Sequence, residues 1–379
     1  MNFEEHAAKP LMALNGITVP PSRLALDPVE AEAAAAAIGP CVVKAQVPAG
    51  KRGKAGGIKL AANPAEARRH AEAIIGLVIG GWPVEKVLIE AQTPIARELY
   101  AAIVNDSASK GPMLLFSPMG GMDVEEAAAA DPAAMRRLPI AIEHGLGAAT
   151  AHKAISGLGL EAVAPALVDV LLNLYRAYRS LDAELIEINP LVVTPDNRVI
   201  ALDCKLTIDD SAASRQVQAA ALAAPVQQTV LEAKAAEAGL KYIELGGEVG
   251  VLANGAGLTM TTMDVIAHYG GQPANFLEIG GEAYTKSKVA LSILLENPNV
   301  KSLLVNFCGA FARTDVMAEG VINAWEDLKP EIPIFFSIHG TGADAAVALV
   351  KSRLGIEPFD LMDDAVKAAV AAAAGRTQA

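Results

Sequence analysis

Hydrophobic positions in the first part of the chain form helical stripes and short apolar runs. From Phe3 to Leu14 the apolar residues have helical spacing, which predicts a helix over residues 2–15. Further helices are predicted over 28–38, 64–79 and 162–181. Apolar runs bounded by turn-forming residues predict strands over 42–47, 58–61, 87–91, 98–105, 113–117, 185–193 and 198–205, the last two paired as a hairpin.

A different pattern begins after a stretch rich in Ser, Gln and Ala over residues 211–228. Gly246 and Gly247 predict a hairpin turn, and strands then alternate regularly with helices. The predicted strands are 249–253, 276–279, 302–306 and 334–337, and helices follow over 259–269, 286–296, 316–328, 344–354 and at the end of the chain. This alternation is typical of a doubly wound parallel sheet. We therefore predict an α/β protein with domains at 1–230 and 239–379.

Composition narrows the classes of function. The 379 residues are 52% hydrophobic and carry a net charge of −12, which argues against a nucleic-acid partner or an anionic membrane and favours small-molecule chemistry. The three cysteines match no zinc spacing, and their odd number fits a reduced, cytoplasmic protein. We expect neither a signal peptide nor a membrane span, because the first residues are polar and no apolar run reaches about 18 residues.

A basic, glycine-rich loop follows the predicted strand that contains Lys44. Lys51, Arg52 and Gly53 begin this loop, and residues 51–57 read KRGKAGG. Polyphosphate binding needs fixed positive charge together with backbone N–H groups that a ligand can approach closely, and this composition supplies both. A solvated basic hairpin would have the same composition, so the spacing alone leaves both interpretations open.

A second group of polar residues follows the strand predicted over 87–91. Glu90 lies near the end of this strand, and Thr93 and Glu98 come shortly after it. In an adenine-nucleotide site, such groups can receive the exocyclic amine and the ribose hydroxyls. For Glu90 by itself, the residue type favours an ordinary exposed carboxylate.

Three oxygen donors are predicted to converge on the hairpin of residues 185–205. Glu187 and Asn189 are two residues apart on one strand and share a face, and Asp203 lies on the return strand. Mg²⁺ prefers oxygen ligands and usually shares its coordination sphere with phosphates and water. A purely structural role would require other partners for these polar residues inside an apolar run.

A strand, a glycine turn and a helix start follow one another in VLANGAGLT, residues 251–259. The free N–H groups and the dipole of a helix N-terminus favour an anion at such a place. A dinucleotide fold is disfavoured because the third glycine of its fingerprint is missing. A tight turn without a ligand remains an alternative.

Together, the strings GKRGKAGGIKL, LIEINPLVVTPDNRVIALDCK, VLANGAGLTMTTMD and GGQPANFLEIGG resemble the β subunits of the ADP-forming succinyl-CoA synthetase family, which includes malate–CoA ligase. The resemblance covers essentially the whole chain and implies an N-terminal ATP-grasp domain followed by a flavodoxin-like CoA-ligase domain. It also implies Mg²⁺, ATP and CoA as partners in the reaction, with CoA bound mainly by an α subunit in an αβ or α2β2 assembly. In this family, ATP phosphorylates a histidine of the α subunit, a carboxylic acid takes the phosphoryl group, and the CoA thiol displaces phosphate.

The resemblance also implies roles for individual residues. The implied nucleotide contacts are Lys44, Lys51, Arg52, Gly53, Glu90, Thr93 and Glu98. The implied Mg²⁺ ligands are Asn189 and Asp203, with Glu187 beside them, and Asn254 is an implied contact of the carboxylate substrate. The helix after Gly257 would face the phosphohistidine of the α subunit, and we assign no catalytic residue to this chain.

Two substrate loops depart from the family pattern. Glu282 stands where a third glycine is usual, and Gly309, Ala310, Phe311 and Ala312 replace a smaller loop. Because an inward carboxylate would repel a dicarboxylate, we hypothesise that the acid differs from succinate. Two other functions stay open: another ATP-grasp carboxylate ligase, disfavoured by the second domain, and a non-catalytic nucleotide-binding scaffold, disfavoured by the intact Lys44, Asn189 and Asp203.

Overall fold

The computed structural model describes residues 1–121, 135–226, 228–280 and 283–375, and it describes residues 283 and 284 by their backbone alone. Its contacts divide the chain into two compact units, Met1–Pro225 and Val226–Ala379. None of the helices in the described part of the chain is long and apolar enough to cross a membrane. The domain limits given by the sequence pattern, 1–230 and 239–379, stay a prediction.

The first unit contains two antiparallel sheets and a small hairpin. Its described strands are β1 (Asn2–Phe3), β2 (Ser22–Ala25), β3 (Cys41–Ala45), β4 (Ile58–Ala61), β5 (Val78–Ile79), β6 (Trp82–Pro83), β7 (Val87–Ala91), β8 (Arg97–Asp106), β9 (Gly111–Ser117), β10 (Arg136–Pro139), β11 (Ala183–Val193), β12 (Val199–Ala201) and β13 (Lys205–Ile208). The larger sheet has the order β1-β13-β11-β8-β9-β10, with β12 also paired to β11, and the smaller sheet has the order β2-β7-β3-β4.

Helices cover these sheets. The described helices of the unit are α1 (Glu5–Leu14), α2 (Pro28–Ile38), α3 (Pro64–Ile74), α4 (Ala148–Ile155), α5 (Ala164–Ser180) and α6 (Val217–Ala220). α1, α4 and α5 share a hydrophobic core with the larger sheet, and α2 and α3 share one with the smaller sheet. α2 and α3 begin alike, because Asp27 and Asn63 cap the first turn and a proline follows each.

Three predictions for the first unit were wrong in their limits. The helix predicted over 2–15 begins at Glu5, because Asn2 and Phe3 form β1 and pair with β13. The helix predicted over 64–79 ends at Ile74, because Gly76 takes a left-handed conformation and the chain then enters the β5–β6 hairpin. The return strand predicted over 198–205 is two strands, since β12 pairs with the end of β11 while β13 pairs with its start. Asp203 lies in the break between them and therefore belongs to neither ladder.

The second unit has the predicted parallel sheet. Its described strands are β14 (Tyr242–Glu244), β15 (Val249–Ala253), β16 (Asn275–Leu277), β17 (Ser302–Gly309) and β18 (Ile334–Gly340). Its described helices are α7 (Val230–Glu237), α8 (Ala256–His268), α9 (Ala283–Glu296), α10 (Thr314–Leu328), α11 (Ala343–Leu354) and α12 (Met362–Ala373). β15, β17 and β18 are parallel, and isolated parallel bridges tie the chain around β16 to β15.

Two hydrophobic cores lie on opposite faces of this sheet. Leu304 belongs to the core that includes α8 and α12, whereas Leu303 and Val305, its neighbours on β17, belong to the core that includes α9, α10 and α11. Alternate residues of a strand point to opposite faces, so helices cover both sides of the sheet. This arrangement confirms the doubly wound prediction.

The hairpin predicted at Gly246 and Gly247 is wrong. β14 does not pair with β15 but with β16, in an antiparallel ladder. Gly247 passes so close to another segment that an added Cβ would lie 2.2 Å from the Gln272 carbonyl oxygen. Gly247 therefore permits a close backbone crossing in place of a tight turn.

Candidate functional site

Lys44 lies at the centre of a buried group of charges in the first unit. Its side chain is 8% exposed, and Nζ donates to Glu5 Oε1 at 2.9 Å, to Glu90 Oε1 at 2.6 Å and to the Leu202 carbonyl oxygen at 2.7 Å. Burial lowers the pKa of Lys44, but the carboxylates of Glu5, Glu90 and Asp203 more than offset this effect and hold the pKa above the ordinary lysine value. The ammonium group is therefore charged at neutral pH.

Glu5 and Lys9 also belong to this group, although the sequence pattern did not identify them. They lie one turn apart on α1, and their side chains are 1% and 2% exposed. Lys9 Nζ lies 2.7 Å from Glu5 Oε1, donates to the Leu202 carbonyl oxygen at 2.8 Å and also contacts Glu90 Oε2. A Glu–Lys pair at this spacing is usual on exposed helix faces. The available signal was that both residues share a stripe with the fully buried Met12.

Arg52 connects the predicted phosphate loop to Asp203. Its Nη2 donates to both carboxylate oxygens of Asp203, at 2.8 and 2.6 Å, and lies 2.8 Å from Glu5 Oε2, while Nη1 donates to the Ala45 carbonyl oxygen at 2.9 Å. Burial lowers the pKa of Arg52, but Asp203 and Glu5 raise it further than burial lowers it. A predicted phosphate ligand and a predicted metal ligand thus form an ion pair in which one guanidinium nitrogen contacts both carboxylate oxygens.

Charge in this group is balanced. Burial by itself raises the pKa of Glu5, but the Lys44, Lys9 and Arg52 cations bring it well below its ordinary range. Each of the buried carboxylates of Glu5 and Glu90 therefore lies beside at least one cation. Such a group is costly to bury and is seldom retained for stability alone, which favours a functional role.

Gly57 holds the base of the loop close to the smaller sheet. Its N–H donates to the Arg52 carbonyl oxygen at 2.9 Å, and an added Cβ would lie 2.7 Å from Ile79 Cδ1. Lys51 and Gly53 are exposed at the start of the loop, and Lys51 has a left-handed backbone. The loop therefore presents backbone and a lysine to solvent while Arg52 turns inward.

The residues predicted to contact adenine do not lie together in the structure. Glu90 is 1% exposed, and each of its carboxylate oxygens contacts a lysine. Oε1 contacts Lys44, and Oε2 contacts Lys9. Thr93 is half-buried in the loop after β7, and Glu98 is half-buried on β8. Neither of these two belongs to the charged group around Lys44.

The predicted metal ligands come from neighbouring stretches of backbone. The N–H of Leu202, next to Asp203, donates to the carbonyl oxygen of Pro190, next to Asn189, at 3.1 Å. Asn189 Oδ1 accepts from the N–H of Gly121 at 2.8 Å. Among the residues that the structure describes, no cluster of three or more His, Cys, Asp or Glu could hold a metal. One amide and one carboxylate oxygen still fit Mg²⁺, because phosphates and water usually complete its sphere.

Glu187 and Glu98 flank these ligands. Tyr100 donates its hydroxyl hydrogen to Glu187 Oε2 at 3.3 Å, which gives this strand carboxylate a structural partner. Glu98 lies beside Gly121, where an added Cβ would come within 1.8 Å of Glu98 Oε2. Gly121 therefore contacts both Asn189 and Glu98.

In the second unit, Asn254 joins the ends of two parallel strands. Its Nδ2 donates to the Cys308 carbonyl oxygen at 2.9 Å, and its Oδ1 accepts from the Cys308 N–H at 2.8 Å. The side-chain amide thus acts like a peptide group that extends the ladder between β15 and β17. Gly255 has a left-handed backbone and precedes α8, which begins at Ala256. The predicted start at residue 259 is therefore three residues late, and Gly257 lies within the first turn of the helix.

The predicted substrate loop lies at the same edge of the sheet. Gly309 is crowded, since an added Cβ would lie 2.8 Å from the Thr341 carbonyl oxygen. Ala310 is exposed, Ala312 packs against the core, and Phe311 is 104% exposed, a fully solvated aromatic ring. Glu282 lies outside the described residues.

Comparison with known proteins identifies both units. A family model described as an ATP-grasp domain matches residues 2–193, and one described as a CoA-ligase matches residues 252–370. A succinate–CoA ligase [ADP-forming] subunit β from Chloroflexus aurantiacus is 44% identical over 98% of this chain and 99% of its own length. A succinate–CoA ligase [GDP-forming] subunit β from Thermus thermophilus is 40% identical over 99% of this chain and all of its own length.

Among solved structures, ATP citrate lyase from Methanothrix soehngenii, in complex with citrate and coenzyme A, aligns with a TM-score of 0.71 at 23% identity. The alignment covers 97% of this chain and 98% of that chain, and it supports the fold. The predicted order of an ATP-grasp domain followed by a CoA-ligase domain is confirmed. The chain belongs to the succinate–CoA ligase β-subunit family, whose members are subunits of acid–thiol ligases.

Proposed function

We propose that this chain is the nucleotide-binding β subunit of an ADP-forming carboxylic acid–CoA ligase. With Mg-ATP it phosphorylates a histidine of an α subunit, the acid accepts the phosphoryl group, and the CoA thiol displaces phosphate. The observation that carries this proposal is the meeting of Lys44, Arg52 and Asp203 in one group. A phosphate-binding pair of cations beside a metal-binding carboxylate is what a Mg-nucleotide requires.

Each residue has a role in this proposal. Lys44 and Arg52 bind the phosphates, with Lys51 and Gly53 at the exposed start of the loop, while Thr93 and Glu98 line the nucleoside side. Glu90, whose two oxygens contact Lys44 and Lys9, acts through Lys44 and does not contact the nucleoside. Asn189 and Asp203 hold Mg²⁺, which when bound neutralises charge on the phosphate oxygens. Because Arg52 and Asp203 pair with each other, binding of a nucleotide must divide them, Arg52 toward phosphate and Asp203 toward the metal.

The second unit is proposed to receive the acid and the histidine of the α subunit. The N-terminus of α8 offers free backbone N–H groups to a phosphoryl group. Asn254 and the loop of Gly309, Ala310, Phe311 and Ala312 border the acid, and CoA binds mainly on the α subunit. The three cysteines are unpaired, which supports a cytoplasmic location.

The acid is proposed to differ from succinate. Glu282 adds a carboxylate and Phe311 adds a solvated ring where smaller loops are usual in the family. Purified together with its α partner, the protein should release ADP in a CoA-dependent manner, and a screen of carboxylic acids identifies the substrate. Turnover of succinate with an efficiency equal to that of the best acid would refute the substrate proposal, and no release with any acid would favour the scaffold.

Metal assignment has a separate test. Asn189→Ala and Asp203→Ala should each slow phosphorylation of the partner histidine by about 100-fold or more, because each removes a Mg²⁺ ligand. Asp196→Ala is the matched control, since Asp196 is 61% exposed on the turn between β11 and β12. Unchanged phosphorylation in both site variants would remove the assignment.

A further inference from the structure

Lys9 and Lys44 contact the same three groups. The ammonium of each lies within hydrogen-bonding distance of the carboxylates of Glu5 and Glu90 and of the carbonyl oxygen of Leu202. The two lysines come from different elements, α1 and β3. Two cations thus share one set of acceptors in a region where the side chains of the carboxylates are 1% exposed.

This sharing matters because every N–H donor of the Lys44 ammonium group already has an acceptor. An ammonium group has three N–H donors, and those of Lys44 are matched by three acceptors. To bind a phosphate, Lys44 must give up at least one of these acceptors, and two of the three are the carboxylates of Glu5 and Glu90. A buried carboxylate without a counter-ion is strongly destabilising, so the nucleotide would otherwise be bound at the expense of an unpaired charge.

We propose that Lys9 is a positioning residue that keeps Glu5 and Glu90 neutralised when Lys44 turns toward a nucleotide phosphate. Lys9 already contacts both carboxylates and the Leu202 carbonyl oxygen, and its own side chain is 2% exposed, so it serves as their resident counter-ion without touching the ligand. The inference rests on the proposed function, in which Lys44 binds phosphate.

Calorimetric titration of the full chain with Mg²⁺ and a non-hydrolysable ATP analogue tests this inference. Lys9→Met should weaken binding by about 10- to 100-fold, because Lys44 is then the main counter-ion that holds Glu90. Lys9→Arg keeps the cation and should stay within about threefold of the wild type. Lys86→Met is the control, since it removes an ion pair of 2.7 Å to Glu4, immediately before α1. In turnover with the α partner, Lys9→Met should raise KM for ATP more than it lowers kcat.

The outcomes separate this inference from the proposed function. If the wild type fails to bind the analogue, or Lys44→Met binds it as the wild type does, the proposed function falls and the inference falls with it. If Lys44→Met loses binding while Lys9→Met retains wild-type affinity, the inference alone is overturned, even when Lys9→Met melts at a lower temperature. Should Lys9→Met not fold, Lys9→Gln repeats the test, because it retains a hydrogen-bond donor but no charge.

Discussion

Arg52 is expected to compete with a divalent metal for Asp203. Arg52 Nη2 contacts both carboxylate oxygens of Asp203, at 2.8 and 2.6 Å, so a metal that arrives without a nucleotide must displace the guanidinium. Arg52→Met should therefore raise the affinity for metal alone. Glu5 keeps Lys9 and Lys44 as partners in this variant, so no buried carboxylate loses its last cation.

The size of this effect follows from the geometry. Unit charges about 4 Å apart attract by about 1 kcal/mol in water and about 4 kcal/mol near a protein surface. Solvent reaches Asp203, whose side chain is 32% exposed, and we therefore expect about 1–3 kcal/mol, a gain in metal affinity of about 5- to 150-fold.

Mn²⁺ is a suitable probe because the signal of the free ion in electron paramagnetic resonance reports binding directly. Arg52→Met should bind Mn²⁺ more tightly without a nucleotide and bind the ATP analogue more weakly. Arg68→Met is the matched control, since Arg68 is exposed on α3 and pairs with Glu32 and Glu72. Equal or weaker Mn²⁺ binding by Arg52→Met, with the wild type binding measurably, would refute the competition.

Three further predictions concern the loop, the second unit and acid stability. Gly57→Ala should weaken nucleotide binding about 10-fold, because the added Cβ would push the loop away from the smaller sheet. Gly50→Ala is the control and should not weaken binding, since an added Cβ there has no atom within 4 Å. Equal affinities of the two variants would contradict the crowding at Gly57. Asn254→Ala should lower the free energy of unfolding of the second unit by about 1–2 kcal/mol in urea titration, since it loses two hydrogen bonds to Cys308, and should raise KM for the acid. The pKa of Glu5 is lowered in the folded protein, so the stabilisation by its carboxylate is present above pH 4.5 and is lost as the pH falls through the lowered pKa. Glu5→Gln should therefore make Tm fall less steeply with pH below pH 4.5. An unchanged slope of Tm against pH would contradict this prediction.

Local sequence patterns predicted most of the elements because those elements depend on local chemistry. α2 matches its predicted limits, 28–38, since Asp27 and Pro28 fix its start within four residues of chain. The alternation of strands and helices after residue 249 predicted the parallel sheet because each crossover is itself a local unit. The pairing of β14 with β16 was missed, since the partner of a strand is chosen by the tertiary fold.

The same distinction applies to the site. Lys44, Arg52 and Asp203 were identified because their residue types suit phosphate and metal, but their mutual ion pairing was not predicted, since Arg52 and Asp203 are 151 residues apart. Glu5 and Lys9 were missed because a pair at this spacing is usually solvated, and only the packing of α1 shows that it is buried. Residue type thus predicted the chemistry, and only the fold shows which charges neutralise one another.

The pairing of β1 with β13 has a consequence for the order in which the protein can fold during synthesis. Asn2 and Phe3 pair with Thr207 and Leu206, so the larger sheet cannot close until about 205 further residues have left the ribosome. Until then, some of the groups that pair with Glu5 and Lys9 of α1 have not yet been synthesised. The N-terminal segment of the nascent chain must therefore stay solvated until then, and the core of the first unit is completed late in synthesis.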